Sequence, residues 1–258
     1  MIMSDQVRVA VYDGVMEITF ARPEKKNALT NAMYKIWADA LIAAESDPDV
    51  RVVLHTGEGD AFSAGNDLMD FAAVNTGATT EERHVGRVLR ALAMAKKPLI
   101  AAVNGLAVGV GTTMILHCDL AFVAEDAKLT TPFVNLALVP EAASSILLPA
   151  HVGAKKAFAM FALGEAITGK EAEAFGLVNK ALARDQVLPA ARAAAAALAA
   201  KPPRAVEITK ALMRDSALLL NRIEAEGAHF EAQLKTAEAR EAFMAFMEKR
   251  APNFSARG

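Results

Sequence analysis

Two short runs open the chain, Val7 to Tyr12 and Val15 to Phe20, each mixing apolar and polar residues, with Asp13-Gly14 between them. Asp-Gly tolerates the positive φ of a two-residue turn, so the pattern predicts a β-hairpin. The period then changes. Asn31 to Ala44 repeats apolar residues at helical spacing, with Thr30 or Asn31 as N-cap and Asp47-Pro48 as a stop. Val50 to His55 reads as a buried strand, Thr80 to Ala95 as a helix and Pro98 to Val103 as a strand; Val110 to His117 follows as a helix and Leu120 to Val123 as a strand. Strands alternating with helices argue for an α/β core, whereas the Ala-rich chain from Gln186 onward carries helical patterns. The change falls near Lys201, which predicts a core over residues 1–200 and a C-terminal helical region over 201–258.

Composition narrows the partners. A chain of 258 residues, 53% of them apolar, can bury a large core. With 28 basic and 30 acidic residues the net charge is −2, so no global attraction to nucleic acid or to a membrane surface is expected. Cys118 is the only cysteine, which excludes an intrachain disulfide and a cysteine-based metal cluster and fits the reducing cytoplasm. Met1 to Arg8 include Ser4, Asp5 and Gln6 in place of an apolar run, so neither a signal peptide nor a membrane anchor is expected there. The five histidines lack metal-ligand spacing, and no metal is expected.

Three local motifs fail on inspection. Gly164, Gly169 and Lys170 mimic a phosphate-binding loop, but Glu171 replaces its hydroxyl. Gly109 and Gly111 begin a dinucleotide fingerprint that Met114 breaks. Ser63 lacks the preceding glycine of a nucleophile elbow.

Two glycine-containing turns that follow strands hold more promise, one from Asp60 to Leu68 and one from Asn104 to Gly111. Glycine lets backbone approach closely, so such turns can aim peptide N–H groups at a ligand oxygen; they can equally just join strand to helix. Ala61-Phe62-Ser63-Ala64-Gly65-Asn66-Asp67-Leu68 resembles the first oxyanion-hole segment of the enoyl-CoA hydratase/isomerase (crotonase) superfamily. Pro98-Leu99-Ile100-Ala101-Ala102-Val103-Asn104-Gly105, running on through Gly109 to Cys118-Asp119, resembles the second. The similarity continues in order through Thr131-Pro132-Phe133, Pro140-Glu141, Gly169-Lys170-Glu171-Ala172 and Gly176-Leu177-Val178.

The resemblance implies an α/β spiral of ββα turns with a C-terminal helical trimerisation region, assembled as a homotrimer or a dimer of trimers. It implies an acyl-CoA thioester as substrate and no separate cofactor, coenzyme A being part of that substrate. By position, the backbone N–H groups of Asn66 and Val110 would stabilise an enolate oxygen. The family's hydratases manage water with two glutamates, and Thr113 and Phe133 stand at those places. The acid that remains, in Leu138-Val139-Pro140-Glu141-Ala142-Ala143-Ser144-Ser145, resembles the Pro-Glu segment of peroxisomal-type Δ3-Δ2-enoyl-CoA isomerases. Glu141 would then shuttle a proton between carbons of the acyl chain, with apolar neighbours disfavouring its charge. On the residues alone Glu141 equally fits an acid placed at the start of a helix near Ala142.

The same resemblance puts Lys25, Lys26 and Asn27 near coenzyme A, although solvated charge explains two lysines as well. Met69, Phe71 and Val74 fit an acyl tunnel or ordinary core. Ala64 and Phe133 complete the expected substrate contacts. The rivals are enoyl-CoA hydration, another enolate reaction such as ring-opening isomerisation or dehalogenation, and a noncatalytic binder of acyl-CoA or RNA. The charge balance opposes RNA.

Overall fold

The computed structural model describes residues 6–69 and 82–254. The hairpin forms as β1 (Val7–Tyr12) and β2 (Val15–Phe20), with Asp13 and Gly14 both at positive φ. Helix α1 (Asn31–Ser46) begins at Thr30, whose hydroxyl accepts the Met33 N–H. Then come β3 (Val52–Gly57), β4 (Ala61–Ser63), α2 (Val85–Met94), β5 (Leu99–Val103), β6 (Leu106–Val108) and α3 (Val110–Thr113). The helix expected over Val110 to His117 changes to 3-10 geometry at Met114. Next follow β7 (Leu120–Ala124), β8 (Lys128–Thr130), α4 (Ser144–Val152), α5 (Ala154–Phe158), β9 (Ile167–Thr168), α6 (Gly169–Ala174) and β10 (Lys180–Leu182). The C-terminal helices are α7 (Arg184–Ala199), α8 (Pro203–Met213), α9 (Ser216–Leu234) and α10 (Ala237–Met247).

Each turn of the chain lays a longer strand in one sheet and a short one in another. The six-stranded sheet runs β1-β2-β3-β5-β7-β10, parallel from β2 onward; the second runs β4-β6-β8-β9. β3 and β5 are buried almost end to end, as parallel strands covered on both faces must be, which explains why β5 is apolar throughout and β3 over Val52 to Leu54. Beneath them Phe20 packs edge-on against Trp37 and Phe62, at 5.0 and 5.8 Å between ring centres. His55 is a buried core histidine: its Nε2 accepts the Trp37 indole N–H at 3.0 Å, and burial lowers its pKa to about 4, so it stays neutral.

The C-terminal helices fold back over their own chain. Lys210 on α8 reaches the Asp119 carboxylate at 2.7 Å and the Lys97 carbonyl at 2.8 Å, tying α8 to the start of β5 and β7. α9 packs against α2, and α10 against the short 3-10 turn Val134–Leu136. Among the described residues no helix is long and apolar enough to cross a membrane.

Candidate active site

The two glycine turns meet. A Cβ on Gly65 would lie 2.7 Å from the Val108 carbonyl oxygen, and one on Gly111 would lie 2.5 Å from that of Ser63. Only glycine allows that approach. Gly65 also sits at φ +82, and its N–H donates to the Ser63 hydroxyl at 3.1 Å. Leu29 pairs with the first turn: its N–H donates to the Gly65 carbonyl at 2.7 Å, and the Asp67 N–H donates to the Leu29 carbonyl at 2.9 Å. This parallel bridge leaves the amide of the intervening Asn66 facing away from Leu29. On the other turn, the Val110 N–H is the first of α3 and has no intrahelical carbonyl to bond. The Tyr34 hydroxyl holds the Asn66 side chain, donating to its Oδ1 at 2.6 Å.

Asn66 and Val110 border a cavity of about 490 Å3. Ala64, Phe133 and Glu141 line it too, and Phe230, Phe243 and Phe246 from α9 and α10 cover it. A second cavity of about 290 Å3 shares Asn66, Glu141 and Phe230, so Glu141 stands where the two spaces adjoin. Its Oε1 accepts the Thr113 hydroxyl at 2.5 Å. Burial pushes its pKa up to about 7, with the nearby Glu226 charge adding to the rise and the Thr113 hydrogen bond opposing it. Two amide donors and one carboxyl near neutrality, around an apolar space, can stabilise charge on an oxygen while a proton moves.

The helix-start reading of Glu141 is corrected here. α4 begins at Ser144, and the amides at its entrance are taken by Glu226 of α9, which accepts from Ala143 N–H at 2.6 Å and Ser145 N–H at 2.9 Å. Glu141 is thereby left to face the cavity.

The expected coenzyme-A contacts lie outside the cavity walls. Asn27 does not present its side chain to a ligand: it is fully buried, accepting from Arg22 N–H and donating to the Glu58 and Ala61 carbonyls. Lys26 and Asn27 both take positive φ after a 3-10 turn, which turns Asn27 inward. Lys25 is exposed, and exposed Lys26 pairs with Asp60 at 2.5 Å. Met69 is 69% exposed and lines neither cavity, whereas Phe71 and Val74 lie outside the described residues. Arg250 borders the larger cavity, its guanidinium held by Glu241 and Glu248. Neither Glu226, Arg250 nor the α9–α10 phenylalanines carried a local sequence signal for these places.

A carboxyl whose pKa is raised on folding binds its proton more tightly in the native state. Stability should therefore fall as pH rises from the ordinary value of 4.5 through about 7. Replacing Glu141 by Gln removes that loss. Melting curves at pH 5 and pH 8 should show the Gln protein gaining on wild type at pH 8, by at most about 3 kcal/mol. Equal pH dependence in the two proteins would contradict the raised pKa.

The spiral of ββα turns and the paired glycine turns define a crotonase-like protein. A sequence profile of the enoyl-CoA hydratase/isomerase family matches residues 10–257, and the chain belongs to that family. It is 31% identical over 252 residues to the 1,2-epoxyphenylacetyl-CoA isomerase of Escherichia coli K12, spanning 95% of this chain and 96% of that protein. It is 32% identical to a probable enoyl-CoA hydratase of Bacillus subtilis 168, over 96% of this chain and 98% of the relative. With rat enoyl-CoA delta isomerase 2 it shares 35% identity over 82% of this chain but only 55% of that longer protein. Among solved structures, Pseudomonas aeruginosa OdaA matches with a TM-score of 0.90 at 44% identity, over 95% of this chain and 99% of that one. An enoyl-CoA hydratase/isomerase from Pseudoalteromonas atlantica T6c matches with 0.91 at 38%, over 97% and 100%. Hydratases and isomerases thus stand at similar identity, and the choice between them falls to the site.

Proposed function

We propose that the protein is a Δ3-Δ2-enoyl-CoA isomerase in which Glu141 carries the proton. The observation behind this reading is that Glu141 is the only carboxylate among the described residues lining the larger cavity. At the places where the family's hydratases carry two glutamates stand Thr113, which donates to Glu141, and Phe133, which can do no acid–base work. Hydration needs a water to be activated and a second proton to be delivered. Isomerisation needs one carboxylate only: it removes a proton from the α-carbon, the electron pair delocalises into a thioester dienolate, and the same proton returns at the γ-carbon. The Asn66 and Val110 N–H groups would hold the enolate oxygen meanwhile. Coenzyme A belongs to the substrate, and the scheme uses no other cofactor.

The face of α8 and the start of α9 expose Ile208, Leu212, Met213 and Leu218, with Leu212 and Met213 each 83% exposed. Such a surface suits contact between copies, and a homotrimer or a dimer of trimers is the assembly we assign.

Mass spectrometry of products tests the reaction. With 3-hexenoyl-CoA the expected product is 2-hexenoyl-CoA at unchanged mass, and with 2-hexenoyl-CoA there should be little gain of one water. Rapid hydration of the 2-enoyl thioester would overturn the assignment.

A further inference from the structure

We propose that Glu226, on α9, is a positioning residue that pins the turn presenting Glu141 to the cavity. The turn is an uncomfortable one. Ala142 and Ala143 take φ +60 and +56 in succession, a region that residues with a Cβ avoid. Such backbone persists only when its surroundings over-determine it, and here two clamps do so. Glu226, 6% exposed, spans more than eighty residues of sequence to accept from the Ala143 and Ser145 amides. From the other side, His117 Nε2 meets the Ala142 carbonyl at 2.7 Å. Arg214 donates to His117 Nδ1 at 2.6 Å, so the ring proton lies on Nε2 and is donated to that carbonyl. Burial keeps His117 neutral, with its pKa lowered to about 3. The peptide groups that follow Glu141 are therefore held from two helices at once.

Charge-assisted bonds to two amides of one turn are stronger than neutral ones, and a carboxylate suits them because each oxygen can serve one donor. Burial raises the pKa of Glu226 itself, opposed by its bonds to the Ser145 and Ala143 amides and by Arg222; its ionised form raises the pKa of Glu141. The other charged groups around the pair are Arg222 on α9 itself, Arg83 and Arg90 from the α2 side, and Glu224 and Glu231, which share the smaller cavity with Glu141. Thr113 meets Glu141 from α3. Glu226 thus fixes both where the proton carrier sits and how readily it gives up its proton, a role that rests on the reading of Glu141 as the shuttle.

The test compares wild type, E141Q, E226Q and E226D, each as the full chain, with 3-hexenoyl-CoA across pH. Glutamine offers one acceptor oxygen in place of two and no charge. E226Q should lose about ten- to a hundredfold in kcat with KM within about threefold, because small misplacement of a catalytic group costs rate rather than binding. Its acid-limb midpoint in kcat/KM should move to lower pH. E226D, with the charge kept and the reach shortened, should lose less kcat and keep the wild-type midpoint. A folded E226Q with unchanged kcat and midpoint, beside an inactive E141Q, would sink the role of Glu226 and leave the shuttle standing. Isomerase activity retained by E141Q would remove the shuttle and this role with it. Should E226Q not fold, E226D and amide exchange in wild type decide. Slow exchange at Ala143 and Ser145 with reduced kcat in E226D supports the role, and fast exchange or undiminished kcat overturns it.

Discussion

Glu141→Gln should lower kcat for 3-hexenoyl-CoA by about 10³-fold while leaving KM within a few-fold, the loss expected when a positioned acid–base group is removed. The substitution is nearly isosteric, and its amide oxygen can still accept the Thr113 hydroxyl that Glu141 accepts now. What disappears is the ability to take a proton. In wild type, kcat/KM should rise with pH and level off above about 7, since the carboxyl must be ionised to begin and burial sets its pKa there. That acid limb should be absent from whatever activity E141Q retains. A variant keeping a tenth or more of the wild-type rate would mean that some other group moves the proton. Glu226 is itself buried behind the turn with both oxygens engaged by amides, so it is badly placed to substitute.

How much of this was readable in the chain depends on how local the cause is. The hairpin was, to the residue, because Asp13-Gly14 and the strands it joins lie within fourteen positions. The helix cap was narrowed to Thr30 or Asn31, and Thr30 takes it; the two glycine turns were visible as turns, but the need for each glycine, set by the backbone of the other turn, was not. The short strands of the second sheet were not, because three residues are too few to show a period of two. Asn27 was grouped with Lys25 and Lys26 near coenzyme A through the resemblance alone; its burial follows from the left-handed steps at Lys26 and Asn27 and from carbonyl acceptors about thirty residues away. Glu141 was legible only through family resemblance. The contacts that set its behaviour come from Thr113 and Glu226, which no spacing along the chain links to it. The phenylalanines of α9 and α10 were read as part of a region for assembly, yet they cover the cavity of their own chain.

Gly65→Ala should cost about 10²-fold in kcat, through geometry rather than chemistry. Two penalties combine at this position. The φ of +82 is unfavourable for alanine by about 1 kcal/mol, and the new Cβ would stand 2.7 Å from the Val108 carbonyl oxygen, a backbone atom that cannot swing aside. The first turn must then back away from the second, carrying the adjacent Asn66 amide with it. Displacing one of two oxyanion donors is worth about 10²- to 10³-fold in rate. Gly176→Ala supplies the control: its φ of +76 imposes the same backbone strain, but nothing lies within 4 Å of the added Cβ. Gly176→Ala should lower the melting temperature and leave kcat alone, whereas Gly65→Ala should lower both. If Gly65→Ala kept kcat within about threefold of wild type, the Asn66 N–H would not be a donor, and the enolate would rest on Val110 and groups yet to be found.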